Sequence, residues 1–217
     1  MSSHGSPFPL SQLLDAIIAS PTVPPSFEKC DVLSALIFIG AQTEPTSRFA
    51  LMEKMNLKEG PAKTLIRRFE QNELVIRVGN TGHVLTAKGK EWNSRIRSWI
   101  LDFKKVNPSS VSLGESAYGI QLRGLSSLVE SGIEQRDYAL LAGAIGATTL
   151  VFERGALKVP SVSNKVLEKK IMKELLSEFN LQEGDILIVG MGRTPSEAQR
   201  GAFNAALSLL LRGSNNQ

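Results

Sequence analysis

Between Thr46 and Thr86 the hydrophobic period changes from helical to extended, and it returns to helical just beyond. Phe49, Leu51, Met52 and Met55 follow Pro45 and two residues, Thr46 and Ser47, that can cap a helix over 48–55. Asn56 to Gly60 reads as a short turn. Pro61 suits the first position of the next helix, where its missing N–H costs nothing. Leu65, Ile66 and Phe69 then recur at helical spacing to about Asn72. Leu74–Val78 is rich in β-branched residues, Gly79-Asn80-Thr81-Gly82 is a turn, and His83–Thr86 is a returning strand. Few small folds accept helix, tight turn, helix and hairpin in this order.

The flanks extend the pattern. Leu13, Leu14, Ile17 and Ile18 give a short amphipathic helix over 11–19, and Pro21, Pro24 and Pro25 then break the chain. Ser26 is expected to cap a helix that ends near Gly40 and is apolar nearly all round in its last turn. Thr86 is expected to cap a long helix running to Lys105, with Trp92, Ile96, Trp99 and Phe103 at spacings of three and four. Asn107-Pro108-Ser109-Ser110 reads as a linker. The expected organisation is a tail and short helix over 1–25, one domain over 26–106 and a second over 112–213.

That element order is the winged helix-turn-helix plan. The stretch Thr64–Arg77 (TLIRRFEQNELVIR) followed by Val84–Trp92 (VLTAKGKEW) resembles the winged-helix regulators of prokaryotes. In these a recognition helix is followed by Leu-Val, a wing, and Leu-Thr-x-x-Gly opening the last helix. The whole arrangement is also similar to archaeal two-domain winged-helix proteins. The resemblance implies a transcription regulator that binds double-stranded DNA. A recognition helix needs polar and basic side chains on its groove-facing side. Lys63, Thr64 and Arg67 would enter the major groove, with Arg68 on phosphate. Arg77, Asn80, Thr81 and His83 would form the wing, and Ser47 and Arg48 would touch phosphate at a helix start. The resemblance further implies a homodimer through the helix carrying Trp92, Ile96, Trp99 and Phe103. The competing reading is a winged-helix module that docks on protein within a larger assembly.

The second half alternates short strands and helices, so the whole chain is expected to be α+β: an N-terminal winged helix-turn-helix and a small C-terminal α/β domain. Helices are expected over 126–132, 138–145, 166–179 and 196–212, and strands over 117–123, 147–153, 157–159 and 185–190. The strand ending at Gly190 leads into Gly190-Met191-Gly192-Arg193-Thr194-Pro195-Ser196. Free N–H groups there, with Gly190, Gly192, Arg193, Thr194 and Ser196, would suit an anion or small-molecule effector. The same residues read more simply as a tight strand-to-helix turn with Pro195 at the helix start. The third glycine of a dinucleotide fingerprint and the Gly-Lys-Ser/Thr of a P-loop are missing.

Catalysis is not expected. The second half has no histidine, no metal-ligand spacing and no Gly-x-Ser-x-Gly. The single cysteine, Cys30, with His4 and His83 far apart in sequence, gives no zinc set and fits a reducing cytoplasm. No cofactor is expected, and no apolar run reaches membrane-span length. Charge concentrates where the motif lies: residues 48–97 hold 11 Lys or Arg against 5 Asp or Glu, while residues 107–217 hold 11 of each. The basic excess points to a polyanionic partner for the first half.

Overall fold

A computed structural model describes residues 9–20, 23–80, 82–107, 114–160, 167 and 169–214. These divide into two units, Leu10–Arg97 and Ser98 onward. Eight α-helices and two antiparallel sheets, of two and five strands, make up a mixed α/β chain among the described residues. None of these helices is long and apolar enough to cross a membrane.

The first unit opens with α1 (Leu10–Ile18), whose Leu10, Leu13, Leu14 and Ile17 are buried. The short helix therefore belongs to this unit and is no part of a loose tail. Next comes α2 (Lys29–Gly40), buried almost all round. Its cap is Glu28 rather than Ser26: the Glu28 N–H donates to Asp31 Oδ2 at 2.8 Å, which also satisfies that buried carboxylate. Ser47 Oγ accepts from the Ala50 N–H at 3.1 Å and starts α3 (Arg48–Met55). Asn56, left-handed at φ 50°, ends it. The next helix, α4 (Glu59–Gln71), begins two residues earlier than expected, so Pro61 is its third residue, still within the turn whose N–H groups lack helical partners. Ala62, Leu65, Ile66 and Phe69 bury one face of α4.

The hairpin pairs β1 (Val75–Val78) with β2 (Gly82–Leu85). Thr86 joins it to α5 (Ala87–Trp99). Its Oγ1 donates to the Glu73 carbonyl at 2.5 Å and accepts from the Gly89 N–H at 3.0 Å. A Cβ on Gly89 would lie 2.0 Å from the Leu74 carbonyl oxygen, so the glycine of the Leu-Thr-x-x-Gly stretch lets the helix start pass the chain entering β1.

One expectation fails here. The helix does not continue to Lys105; it stops at Trp99, and Ile100–Val106 is a strand, β3. Phe103 is thus not on the helix at all. It pairs with Ile120 in the neighbouring strand, and its ring meets Phe203 edge-on at 5.7 Å. A spacing of three and four suited a helix, but pairing along a sheet edge satisfies the backbone of this segment and buries Ile100 and Val106. Ile96 is 1% and Trp99 7% exposed, which leaves only Trp92, half-buried, of the stripe expected to meet a second copy.

The second unit is built on the sheet β3-β4-β7-β5-β6, antiparallel throughout: β4 is Ser116–Leu122, β5 Gly146–Glu153, β6 Ala156–Lys158 and β7 Ile186–Gly192. Alternate residues face opposite ways. Ala117, Leu187, Val189 and Leu150 pack with Ile171, Leu175 and Phe179 at α7 (Lys169–Glu178). On the other face lie α6 (Ile133–Leu141) and α8 (Pro195–Ser214), with Phe203 against Tyr118. The helix expected at 138–145 is α6, shifted toward the N-terminus. Gly132 at φ 76° opens it, Gly143 at φ 82° follows its end, and the Ile145 N–H already donates to Met191 of the sheet. The helix expected at 126–132 is one 3-10 turn, Ser126–Leu128. Thr81 and linker residues Pro108, Ser109 and Ser110 lie outside the described residues.

Candidate nucleic-acid interface

The hairpin is fastened to the start of α3. Thr46 and His83 exchange both backbone hydrogen bonds at 2.9 Å, adding a one-residue third strand to the hairpin. A Cβ on Gly82 would sit 2.4 Å from the Thr46 carbonyl oxygen, so glycine permits this approach. Three pieces of chain thereby face one hollow of about 630 Å³: the start of α3, the outer side of α4 and the hairpin.

Eight of the expected DNA contacts line that hollow: Ser47, Arg48, Lys63, Thr64, Arg67, Arg77, Asn80 and His83. They come from Ser47 to His83 in sequence and from separate elements, so only the fold brings them together. Lys63 and Arg67 are one helical turn apart and exposed. Arg77 stands directly across the hairpin from His83, with its Nε donating to the Gly79 carbonyl at 3.1 Å. Two carboxylates lie beside these side chains. Glu59 lies 3.0 Å from Arg48, and Glu70 lies 3.2 Å from His83 Nε2.

Arg68 does not join them. Its guanidinium donates to the carbonyl of Ala19, just beyond the end of α1. It points back into the first unit because it is the next residue round the helix from Arg67, about 100° away. Spacing alone left both arginines outward.

Phe49 is the residue that sequence reasoning missed. It reads as part of the apolar face of α3, yet only Leu51 and Met55 are buried there. Phe49 is 70% exposed on the rim of the hollow, with the Arg48 guanidinium 5.7 Å from its ring centroid. An aromatic ring among cations offers a surface for a sugar or base. Nothing in the helical spacing separated it from Leu51.

The Gly-x-Gly segment of the second unit has a different character. A Cβ on Gly190 would stand 2.5 Å from the Ala198 carbonyl oxygen and the Ala202 nitrogen, and one on Gly192 2.5 Å from the Ala198 nitrogen. Both glycines let β7 lie against the backbone of α8. The helix start is filled from within: Thr194 Oγ1 accepts from the Glu197 N–H at 3.2 Å, and Glu197 Oε2 accepts from the Arg193 N–H at 2.9 Å. Ser196 lies in that same first turn. The N–H groups of Arg193 and Glu197 are thus already engaged within the segment, and the tight-turn reading is the one this geometry favours. Gly190→Ala is expected to lower stability by about 2 kcal/mol, because the neighbours are backbone and cannot rotate away. Urea denaturation of the variant measures this.

No group of His, Cys, Asp and Glu suited to a metal occurs among the described residues. Comparison with known proteins finds similarity without a stated activity. Residues 113–209 match a family described as "Domain of unknown function (DUF4443)", less than half of the chain. No curated protein matches. Among solved structures, the chain is similar to a hypothetical protein from Pyrococcus horikoshii OT3. The TM-score is 0.70 at 25% identity, over 85% of this chain and 93% of that one.

Proposed function

We propose that the chain is a DNA-binding transcription regulator whose first unit is a winged helix-turn-helix. In this reading α4 is the recognition helix, β1 and β2 are the wing, and α3 rests its start on the phosphate backbone. The observation that carries the proposal is the convergence of Arg48, Lys63, Arg67, Arg77 and His83 on one hollow between helix and hairpin. Such a surface neutralises several phosphates at once. Lys63, Thr64 and Arg67 are the side chains placed to read bases.

Selection of bound duplexes from a random pool tests it. A recurring motif several base pairs long is the expected result; an unchanged pool contradicts sequence reading. The competing protein-docking reading draws on Ile76 and Val78, 57% and 40% exposed on β1. It predicts that charged substitutions at those two residues leave duplex affinity untouched and abolish a protein contact. A dimer through α5 is not part of the proposal, because Ile96 and Trp99 are already buried within the chain. No effector is assigned to the second unit.

A further inference from the structure

Phe49 does not follow the ordinary logic of a short amphipathic helix. Leu51 and Met55 are buried and fix the inner side of α3. Phe49 lies about 200° round the helix from Leu51, so its ring must leave the core. It is 70% exposed, on the rim of the hollow. A single exposed apolar residue is common on protein surfaces, but the surroundings of this one are specific. The Arg48 guanidinium stands 5.7 Å from the ring centroid and pairs with Glu59 at 3.0 Å. Lys63 and Arg67 line the same hollow. An apolar peptide docked on Phe49 would have to strip water from these cations without replacing it. A nucleic-acid strand meets both demands, because it alternates a phosphate with a sugar whose edge is largely C–H.

Resting on the DNA reading above, we propose that the Phe49 ring packs on a deoxyribose of the strand whose phosphates meet Ser47 and Arg48, as an uncharged anchor for the duplex. In that reading α3 meets the backbone and α4 meets base edges, which sets a ring on α3 against sugar rather than base. The ring loses water on contact and leaves no polar group unpaired. Two properties follow. The contact neutralises no phosphate and releases no counterion, so its share of the affinity does not depend on salt. Every nucleotide carries the sugar, so the share is the same for every sequence. Arg48, its neighbour, has the opposite character: its share falls as salt rises.

The experiment titrates the full chain over salt with two labelled duplexes of unrelated sequence, as wild type, Phe49→Ala, Phe49→Leu, Arg48→Ala and the Arg48→Ala/Phe49→Ala pair. Phe49→Ala is expected to weaken binding about tenfold at every salt concentration and on both duplexes, with the slope of log affinity on log salt unchanged. Phe49→Leu is expected to stay within about threefold of wild type, because an aliphatic side chain also covers a sugar edge. Arg48→Ala is expected to reduce the slope by about one. An exposed side chain is not needed for folding, and urea denaturation of Phe49→Ala checks that stability is kept. Unchanged affinity in Phe49→Ala overturns the proposal and leaves the DNA reading standing. A loss on one duplex alone also overturns it, since the ring then meets a base. So does a loss that reduces the slope as Arg48→Ala does and disappears in the double variant, since the ring then only positions that cation. No binding by wild type at low salt overturns both the proposal and the DNA reading.

Discussion

Arg67→Ala is expected to weaken duplex binding about ten- to a hundredfold, while Arg68→Ala, its neighbour in sequence, leaves affinity within about threefold. The two arginines point to different partners. Arg67 is exposed on the outer side of α4 and lines the hollow with Lys63, Arg77 and His83. A guanidinium there can reach a guanine edge or a phosphate, a contact worth about 1–3 kcal/mol. Arg68 instead donates to the carbonyl of Ala19, beyond the last turn of α1. Its loss leaves that carbonyl at the negative end of a helix without its cation, and is expected to cost about 1 kcal/mol of folding stability. Anisotropy with labelled duplex and urea denaturation together separate the variants. Equal losses of affinity in both would contradict the placement of α4 as the reading helix.

Arg123→Ala is expected to cost the second unit about 3 kcal/mol near neutral pH, and the cost is expected to shrink as pH falls. Asp185 is the reason. Its side chain is 1% exposed and receives four hydrogen bonds: two from the Arg123 guanidinium at 2.8 and 2.9 Å, one from Gln121 Nε2 at 2.7 Å and one from the Gln182 N–H at 2.9 Å. Burial by itself pushes the carboxyl up. The bonds from Arg123, Gln182 and Gln121 outweigh it and hold Asp185 below the ordinary carboxylate range. Removing Arg123 leaves a buried carboxylate without its cation, a change that costs about 3–5 kcal/mol in comparable sites. The low end applies because Arg123 is 39% exposed, so solvent already screens the pair.

The sign follows from linkage. A carboxyl depressed in the folded state contributes stability that is fully present above its unfolded value of about 4, and that is lost as pH falls through the lower folded value. In Arg123→Ala burial meets less opposition, so the carboxyl protonates at higher pH than in wild type and the variant is relieved first. Urea denaturation at about pH 7 and about pH 4 checks this. A gap that widens on acidification contradicts the account.

How much of this was legible follows from where the determining contacts lie. The helix over 48–55 and the strand at 185–190 carry their signals locally, in a capping serine and a β-branched run, and both form within about two residues of the expected bounds. The segment 100–106 carries an ambiguous signal. Its spacing with Trp92 and Ile96 suits a helix, and only pairing with β4 decides for a strand. The shift of α6 has the same origin: Gly143 and the bond from Ile145 to Met191 end the helix early, and that bond spans β7, far away in sequence. At the hollow, residue type was enough to choose Lys63 and Arg67. It was not enough to separate Arg67 from Arg68, because the bond to Ala19 depends on where α1 packs. Phe49 was hidden for the converse reason: an apolar residue on a short helix is expected inward, and this one faces out. Gly190 and Gly192 read more simply as a tight turn than as an anion cradle, and residue type alone left the second reading open. The backbone of α8 against β7, and Glu197 turned onto its own helix start, give these glycines a packing role.

The most direct test of the central claim is fluorescence anisotropy of the full chain with a labelled duplex, titrated over salt. Five basic side chains on the hollow predict binding at low salt that weakens steeply, with a slope of log affinity on log salt of about −4. No binding at low salt, or binding that salt does not weaken, would contradict DNA as the partner of this surface.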